Sequence, residues 1–389
     1  MRETKTKTLN CRYELYNPNI VSSENCCVID ESGKKYVDFE AGVWSVSLGH
    51  NNKQVNEAIK RQLNTVSHVG YRYTTKIVDE AAEKVLELLD FPNGKCVFLS
   101  SGSEAVEFGV QAAKKIMEKP LFLCLNNYYL SAYGISQARN EEQWISLDLT
   151  EYNDNSASVL ENIPFDKIGA FVFEPGNASG TANLPPRDLI KSIEAKIKEN
   201  NGIIVVDEVT TGIGRTGKWF GFEHYNLRPD IVSLGKGIGN GYPVSVIGFS
   251  KNIAASIEQS NFKYAQSHQD DPLGCAVVSE VISVINNNDL IQRAAQMGTL
   301  FKQSLMSLMK KHDCIKEVRG IGLMLVIEFH KDETLNLYKI HREIFDYGYI
   351  TGYHIFANLL RFYPPLTIEE TQVENMINAL DLILLKHTK

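Results

Sequence analysis

Short apolar runs that never alternate with polar residues punctuate this sequence, and amphipathic helical stretches separate them. The runs are Lys95–Leu99, Leu121–Leu125, Ala170–Phe173, Ile203–Val206, Ile231–Leu234 and Val244–Phe249. A strand wetted on one face alternates, whereas a strand covered on both faces reads as continuous Val, Ile and Phe. Between the runs, Glu104–Glu118 sets Ala105, Phe108, Ala112 and Ile116 on one helical stripe. Pro186–Glu199 does the same with Leu189, Ile190, Ile193 and Ile197, and stops at Asn200-Asn201-Gly202. Asp271 before Pro272 is a cap residue followed by proline at the first helical position, opening Leu273–Ile285. Strands alternating with helices predict an α/β fold whose large, mostly parallel sheet carries helices on both faces.

The pattern changes after about residue 280. Leu290–Lys311 reads as one long amphipathic helix, Leu323–Phe329 and Leu359–Phe362 as strands, and Glu369–Lys386 as a closing helix. Strand-like Cys26–Ile29 and Lys35–Phe39 belong with them. The expected organisation is a large α/β domain over 47–280 and a smaller, discontinuous α+β domain from 1–46 and 281–389.

Several function classes are excluded at this level. The chain has 389 residues with 43% hydrophobic, enough for a large core. Lys and Arg number 40 against 47 Asp and Glu, a net charge of −7 that argues against a nucleic-acid surface. No apolar run reaches the roughly 18 residues of a membrane span. Met1–Asn10 lacks a secretory apolar stretch. The 7 cysteines form no C-x-x-C pair, so zinc ribbons are unsupported, and Cys96 and Cys124 sit in apolar runs. A reducing, cytoplasmic setting is expected.

Glycines offer two false leads. Gly212-Ile-Gly-Arg-Thr-Gly217 fits G-x-G-x-x-G, and Gly212–Lys218 fits a Walker A motif until Trp219 takes the place of its final Ser or Thr. Both motifs need a helix directly after the glycines, but Lys218-Trp-Phe-Gly-Phe222 is bulky and aromatic with no cap. Asp207 and Glu208 precede the glycines rather than following them.

A different constellation carries chemistry. Lys236 sits just past a strand with glycine on both sides, where the backbone can take positive φ and approach a ligand. A surface charge is the plainer reading of a lysine, but one at the end of a buried strand is the type that forms a Schiff base. Ile203-Ile-Val-Val206 delivers Asp207 to a strand's carboxyl end, where open α/β sheets bind ligands. Ser100-Ser-Gly-Ser-Glu104 ends a strand and starts a helix; it fits a capping box and also makes an anion site from free N–H groups. Lysine, buried carboxylate and phosphate cradle together describe pyridoxal phosphate better than any other common cofactor.

The run from Ile203 to Ser250 resembles the class III aminotransferases, pyridoxal-phosphate enzymes of fold type I. It holds Asp207-Glu-Val-Thr-Thr-Gly-Ile-Gly-Arg-Thr-Gly217 and Lys236-Gly-Ile-Gly-Asn-Gly-Tyr-Pro243. Echoes in family order are Leu48-Gly-His50, Glu174-Pro175, Asp271-Pro-Leu273 and Arg361-Phe-Tyr-Pro-Pro365. The resemblance implies that Lys236 is the internal-aldimine lysine and that Asp207 pairs with the pyridinium nitrogen. It implies that Gly102 and Ser103 cradle the phosphate and that Ser267 reaches it across a homodimer interface. Val209 is then under the ring and Tyr128 over it, with Glu174 and Asn177 beside it. Arg361 corresponds to a substrate-carboxylate arginine, and Trp44 is expected to line the substrate pocket.

Two departures shape the expected specificity. Ser179 stands where ω-amine-selective members have a glutamate that pairs with the arginine, so Arg361 is expected to remain free for a substrate carboxylate. Gln269-Asp-Asp-Pro272 replaces a Gly-Gly-Asn-Pro run, and its acids are expected to favour a cationic substrate. The implied activity is ping-pong transfer of an amino group between an amino acid or amine donor and a 2-oxo acid. Epimerases, an aminomutase and a non-catalytic regulatory homologue remain alternatives at this point.

Overall fold

The computed structural model describes residues 9, 19–149, 159–176, 180–331 and 335–387. Among them a short sheet is built from β1 (Ile20–Glu24), β2 (Cys27–Asp30) and β3 (Lys35–Asp38). A seven-stranded sheet follows: β4 (Lys95–Leu99), β5 (Leu121–Leu125), β6 (Trp144–Leu147), β7 (Ile168–Phe173), β8 (Ile203–Asp207), β9 (Ile231–Leu234) and β10 (Ser245–Phe249). Its order is β4-β10-β9-β8-β7-β5-β6, and only β10 runs antiparallel to its neighbours. This is the α/β architecture expected from the apolar runs. Every residue of β7, β8, β9 and β10 is buried, the burial that non-alternating sequences encode.

The remaining strands are β11 (Ile315–Ile321), β12 (Met324–Phe329), β13 (Tyr349–Ile350), β14 (Gly352–His354) and β15 (Leu359–Phe362). Strands β11-β12-β15-β14 make an antiparallel sheet, whereas β13 leaves it to pair in parallel with β3. Sequence positions more than three hundred residues apart thereby become neighbours, through Tyr349↔Val37 and Ile350↔Asp38.

The helices begin and end near their expected bounds. Leu290–Lys311 matches its reading, while Gly102–Ile116 and Pro272–Asn287 differ by one or two residues. Strands β1, β6 and β11 escaped the reading because they are short, exposed or mixed in character. The segment from Gly212 to Gly217 is turns rather than a phosphate loop. Its glycines serve close packing. A Cβ on Gly217 would stand 3.0 Å from Ala295, and one on Gly214 would stand 2.8 Å from Leu366. Inside this loop Arg215 is buried and donates to the Leu323 carbonyl at 3.1 Å and to the Pro364 carbonyl. The loop after β8 is thus fastened to the β11–β12 turn and to the chain following β15. No helix among the described residues is long and apolar enough to cross a membrane, and the six described cysteines are free.

Gly298 marks the tightest part of this seam, since a Cβ there would lie 2.3 Å from the Gly322 carbonyl oxygen. Gly298→Ala should lower the unfolding free energy by about 1–3 kcal/mol, the usual cost of overpacking. A denaturant midpoint equal to that of the parent protein would show that the seam yields freely.

Candidate active site

Parallel strands β7, β8 and β9 end on the same side of the sheet, and β8 ends on Asp207 beside Ser233 of β9. Two residues past β9 the chain reaches Lys236, whose φ of 45° lies in the left-handed region. That conformation is costly for a residue with a side chain and is found where function or packing demands it. Gly235, immediately before, packs against the start of helix Gly102–Ile116. A Cβ on Gly235 would stand 3.0 Å from Gly102 Cα and 3.0 Å from Val209 Cγ1. A Cβ on Gly102 would lie 2.5 Å from Val209 Cγ1. The two glycines bring a helix N-terminus, Val209 and the lysine segment into direct contact.

Lys236 is half-buried, and its Nζ donates to Thr210 Oγ1 at 2.7 Å. Burial lowers its pKa from the ordinary lysine value; Asp207 and Glu174 oppose that shift, and Arg361 reinforces it. Asp207 is more deeply buried, and burial raises its pKa, while the Val209 N–H and Lys236 pull it back. Its Oδ1 accepts from Val209 N at 2.9 Å. Among the described residues that is its one hydrogen-bond donor. A carboxylate so placed lacks the partners that normally repay its desolvation. Glu208, next along, is differently served: Thr211 Oγ1, Gly221 N and Phe222 N donate to it at 2.7, 2.8 and 2.7 Å. It holds the loop's shape.

At the helix start, Ser101 Oγ accepts from Glu104 N at 3.2 Å, and Glu104 Oε2 accepts from Ser100 N at 3.0 Å. Capping is therefore real, yet the N–H groups of the first turn still converge at the positive end of the helix dipole. Ser103 Oγ accepts from Ala132 N at 3.0 Å. Tyr128 is buried near Glu174, and its hydroxyl has no hydrogen-bond partner among the described residues. It also lines a cavity of about 940 Å³ that includes Arg139, Lys302, Arg319 and His354. Ser267 is exposed in the loop before helix Pro272–Asn287. Asn177 and Ser179 lie outside the described residues.

Trp44 closes the site from the N-terminal segment. Its ring centre is 4.9 Å from Lys236 Nζ and 4.7 Å from Arg361 Cζ, and its indole N–H has no partner among the described residues. The backbone that presents it is unusual. Ala41, Gly42, Val43 and Trp44 have φ of 46°, 56°, 59° and 68°, one turn of left-handed helix closed by Trp44 N→Glu40 O at 2.7 Å. Each of the three residues with a side chain costs about 1–2 kcal/mol in this conformation. Asp38 organises the turn by accepting from Glu40 N, Gly42 N and His50 Nε2, each at 2.8 Å.

The structure corrects one expectation outright. Arg361 is not free: its Nε and Nη2 donate to Glu40 Oε1 and Oε2 at 2.9 and 2.8 Å. Residue 179 is therefore not the only place from which a carboxylate can reach this arginine. The acids of 269–272 also have other work. Asp270 Oδ1 accepts from Phe98 N at 2.9 Å, and Asp271 caps its helix and meets His68 Nδ1 at 2.9 Å. Glu40 and Thr210 were missed by sequence reasoning. The available signal for Glu40 was a second acid, after Asp38, inside the otherwise apolar stretch Val37–Val46.

An enclosed amine of lowered pKa, a buried carboxylate short of donors and a helix N-terminus packed on the neighbouring Gly235 and Val209 fit a ring with a basic nitrogen and an anionic tail. They fit pyridoxal phosphate on each count. The family model described as "Aminotransferase class-III" matches residues 12–129 and 127–384. The acetylornithine aminotransferase of Methanocaldococcus jannaschii is 30% identical over 376 residues, covering 93% of this chain and 92% of that protein. That of Caldanaerobacter subterraneus is 30% identical over 396 residues, with 97% of each covered. An S-selective transaminase from Arthrobacter sp. superposes with a TM-score of 0.89 at 25% identity, covering 98% of this chain and 96% of its own.

A raised Asp207 pKa has a testable sign. In the cofactor-free protein the folded state holds the proton more tightly than the unfolded chain. Stability is then complete below the ordinary carboxylate pKa of 3.8 and lost as pH rises towards about 7. Cofactor-free Asp207→Asn should escape that loss, so its melting temperature should pull ahead of the parent's across this window. A difference that does not change with pH would refute the assignment of a strained, buried carboxyl group.

Proposed function

Because the chain belongs to the class-III aminotransferases, whose members use pyridoxal phosphate, we propose that Lys236 holds that cofactor and carries its proton transfers. The chain is an aminotransferase; amino-group transfer to a 2-oxo acid follows from its family, and the acetylornithine aminotransferases it resembles by name transfer amino groups rather than invert stereocentres. The observation that carries the site assignment is the buried pair, a lysine amine of lowered pKa with a donor-poor aspartate on the neighbouring strand end.

When bound, pyridoxal phosphate supplies a carbonyl carbon that can exchange an amino group and a ring that accepts electrons. The protein's own groups do the rest. Asp207 would pair with the ring nitrogen and keep it protonated; two unit charges about 4 Å apart at an effective dielectric near 20 attract by about 4 kcal/mol. The first-turn N–H groups at Gly102 and Ser103 bind the phosphate, joined by Ser267 from a second copy of this chain in a homodimer. Val209 and Tyr128 hold the two faces of the ring, with Glu174 and Asn177 at its edge. Lys236, its pKa lowered by burial, would take up at Nζ a proton from the carbon bearing the amino group and later give it back. Thr210 Oγ1 orients the lysine for this step. Trp44 excludes water above Nζ, and Arg361 receives the carboxylate of an α-amino acid or 2-oxo acid as a two-pronged fork. Residues 47–280 form the cofactor-binding domain in this reading, with residues 1–46 and 281–389 completing the substrate side; the compartment is the cytoplasm.

Loss of the Asp207 charge should remove about 4 kcal/mol of stabilisation, so Asp207→Ala should lower kcat/KM about a thousandfold. Lys236→Ala should lose the visible absorbance that borohydride removes from the parent enzyme, while retaining its fold. Incubation with a single amino donor and no acceptor should release one oxo acid per site. Racemisation without oxo acid would instead identify an epimerase.

A further inference from the structure

Two buried hydrogen-bond donors beside Arg361 have no partner among the described residues, the Tyr363 hydroxyl and the Trp44 indole N–H. Buried polar groups are normally paired, because the water they give up on folding has to be replaced. Tyr363 stands two residues beyond Arg361 in the direction of β15, so the two side chains share a face. Phe362 between them turns the other way, to Phe39 and Phe301 in the core. The Tyr363 N–H donates to the Phe39 carbonyl at 2.7 Å, which lays it against the segment that carries Trp44. The Tyr363 and Trp44 ring centres are 5.2 Å apart, and Arg361 Cζ lies 4.7 Å from that of Trp44 and 5.7 Å from that of Tyr363. Ala182, Met324, Val326 and Leu359 complete this cluster, and their side chains offer no oxygen or nitrogen. Burial pushes the Tyr363 pKa up, with Arg361, Glu40, Arg215 and Glu174 also acting on it, so the hydroxyl keeps its proton among the charges of the site. A phenylalanine, which the adjoining core uses at 39, 301 and 362, would fill the same place with no orphaned oxygen. Tyrosine here costs stability unless something that enters the site accepts the bond it offers.

We propose that Tyr363 is a specificity residue of this enzyme, whose hydroxyl, with the Trp44 N–H, donates to a substrate carboxylate drawn to Arg361. The proposal rests on the carboxylate-binding reading of Arg361 given above. A carboxylate has about four lone-pair sites, of which a guanidinium fork takes two, leaving the others for neutral donors. The backbone beside the arginine supplies none from its side chains. A Cβ on Gly180 would stand 2.0 Å from Arg361 Nη1, and one on Gly352 would stand 2.5 Å from Nη2. The aromatic pair is the remaining source. An amine without a carboxylate leaves both donors unbonded in a site it has closed to water, and a site built to hydrogen-bond a substrate rejects analogues lacking that group.

The probe is glutarate, a dicarboxylate with neither amine nor carbonyl, titrated calorimetrically into the holoenzyme. Tyr363→Phe deletes only the oxygen. Its glutarate affinity should fall about tenfold, the scale of one hydrogen bond to a charged group. Without glutarate, its melting temperature should equal or exceed the parent's, since the deleted oxygen had no partner to lose. Trp44→Phe, which removes the second donor, should weaken glutarate binding in the same direction. The competing account is a trapped water shared by the Tyr363 hydroxyl and Arg215 Nη2, which also lacks a partner among the described residues. A lower melting temperature for Tyr363→Phe, or its failure to fold, would establish that account and overturn the proposal. Glutarate affinity of Tyr363→Phe within twofold of the parent, with binding lost in Arg361→Ala, would overturn the proposal and leave the role of Arg361 standing. Undiminished binding to Arg361→Ala would overturn both.

Discussion

A lysine and an aspartate are held away from water at the carboxyl ends of adjacent parallel strands, and neither is provided for in the way buried charges usually are. Desolvation disfavours the charged form of each group, which drives the amine towards neutrality and the carboxylate towards protonation. A neutral amine is nucleophilic, and a donor-poor carboxylate seeks a cation. The same dry surroundings that make the pair costly give it its chemical use, and the rest of the site is arranged to keep them dry.

That arrangement draws on three separate parts of the chain. The sheet supplies direction, since all strands around Asp207 point the same way and their loops gather at one edge. Glycines at 102 and 235 supply proximity, by letting a helix N-terminus and the lysine segment touch. The segment Asp38–His50 supplies the cover, in a left-handed turn that three donors to Asp38 hold in place. Buried Arg215 ties the loop after β8 to the β11–β12 turn and to the chain beyond β15, so that these segments share one frame.

Charge balance across the pocket shows the same economy. Arg361 and Lys236 both face Trp44, and two cations in so dry a place would repel. Glu40 neutralises one of them. Burial, which lowers the Lys236 pKa, and the Arg361–Glu40 pair both reduce the positive charge facing Trp44.

What the amino-acid sequence alone determined is local. Burial on both faces writes itself into unbroken runs of Val, Ile and Phe, so the central strands were legible within a residue or two. Lys236 and Asp207 were legible because each stands just after such a run, with glycines that only a close approach would require. Tertiary structure decided what Arg361 does. Its partner Glu40 is 321 residues away in sequence, and no periodicity or cap connects them. The two meet because β13 leaves its sheet to pair with β3 and carries the C-terminal segment to the N-terminal one. Strand pairing depends on backbone hydrogen bonds that any residue can make, so the sequence holds little record of which strand ends are brought together.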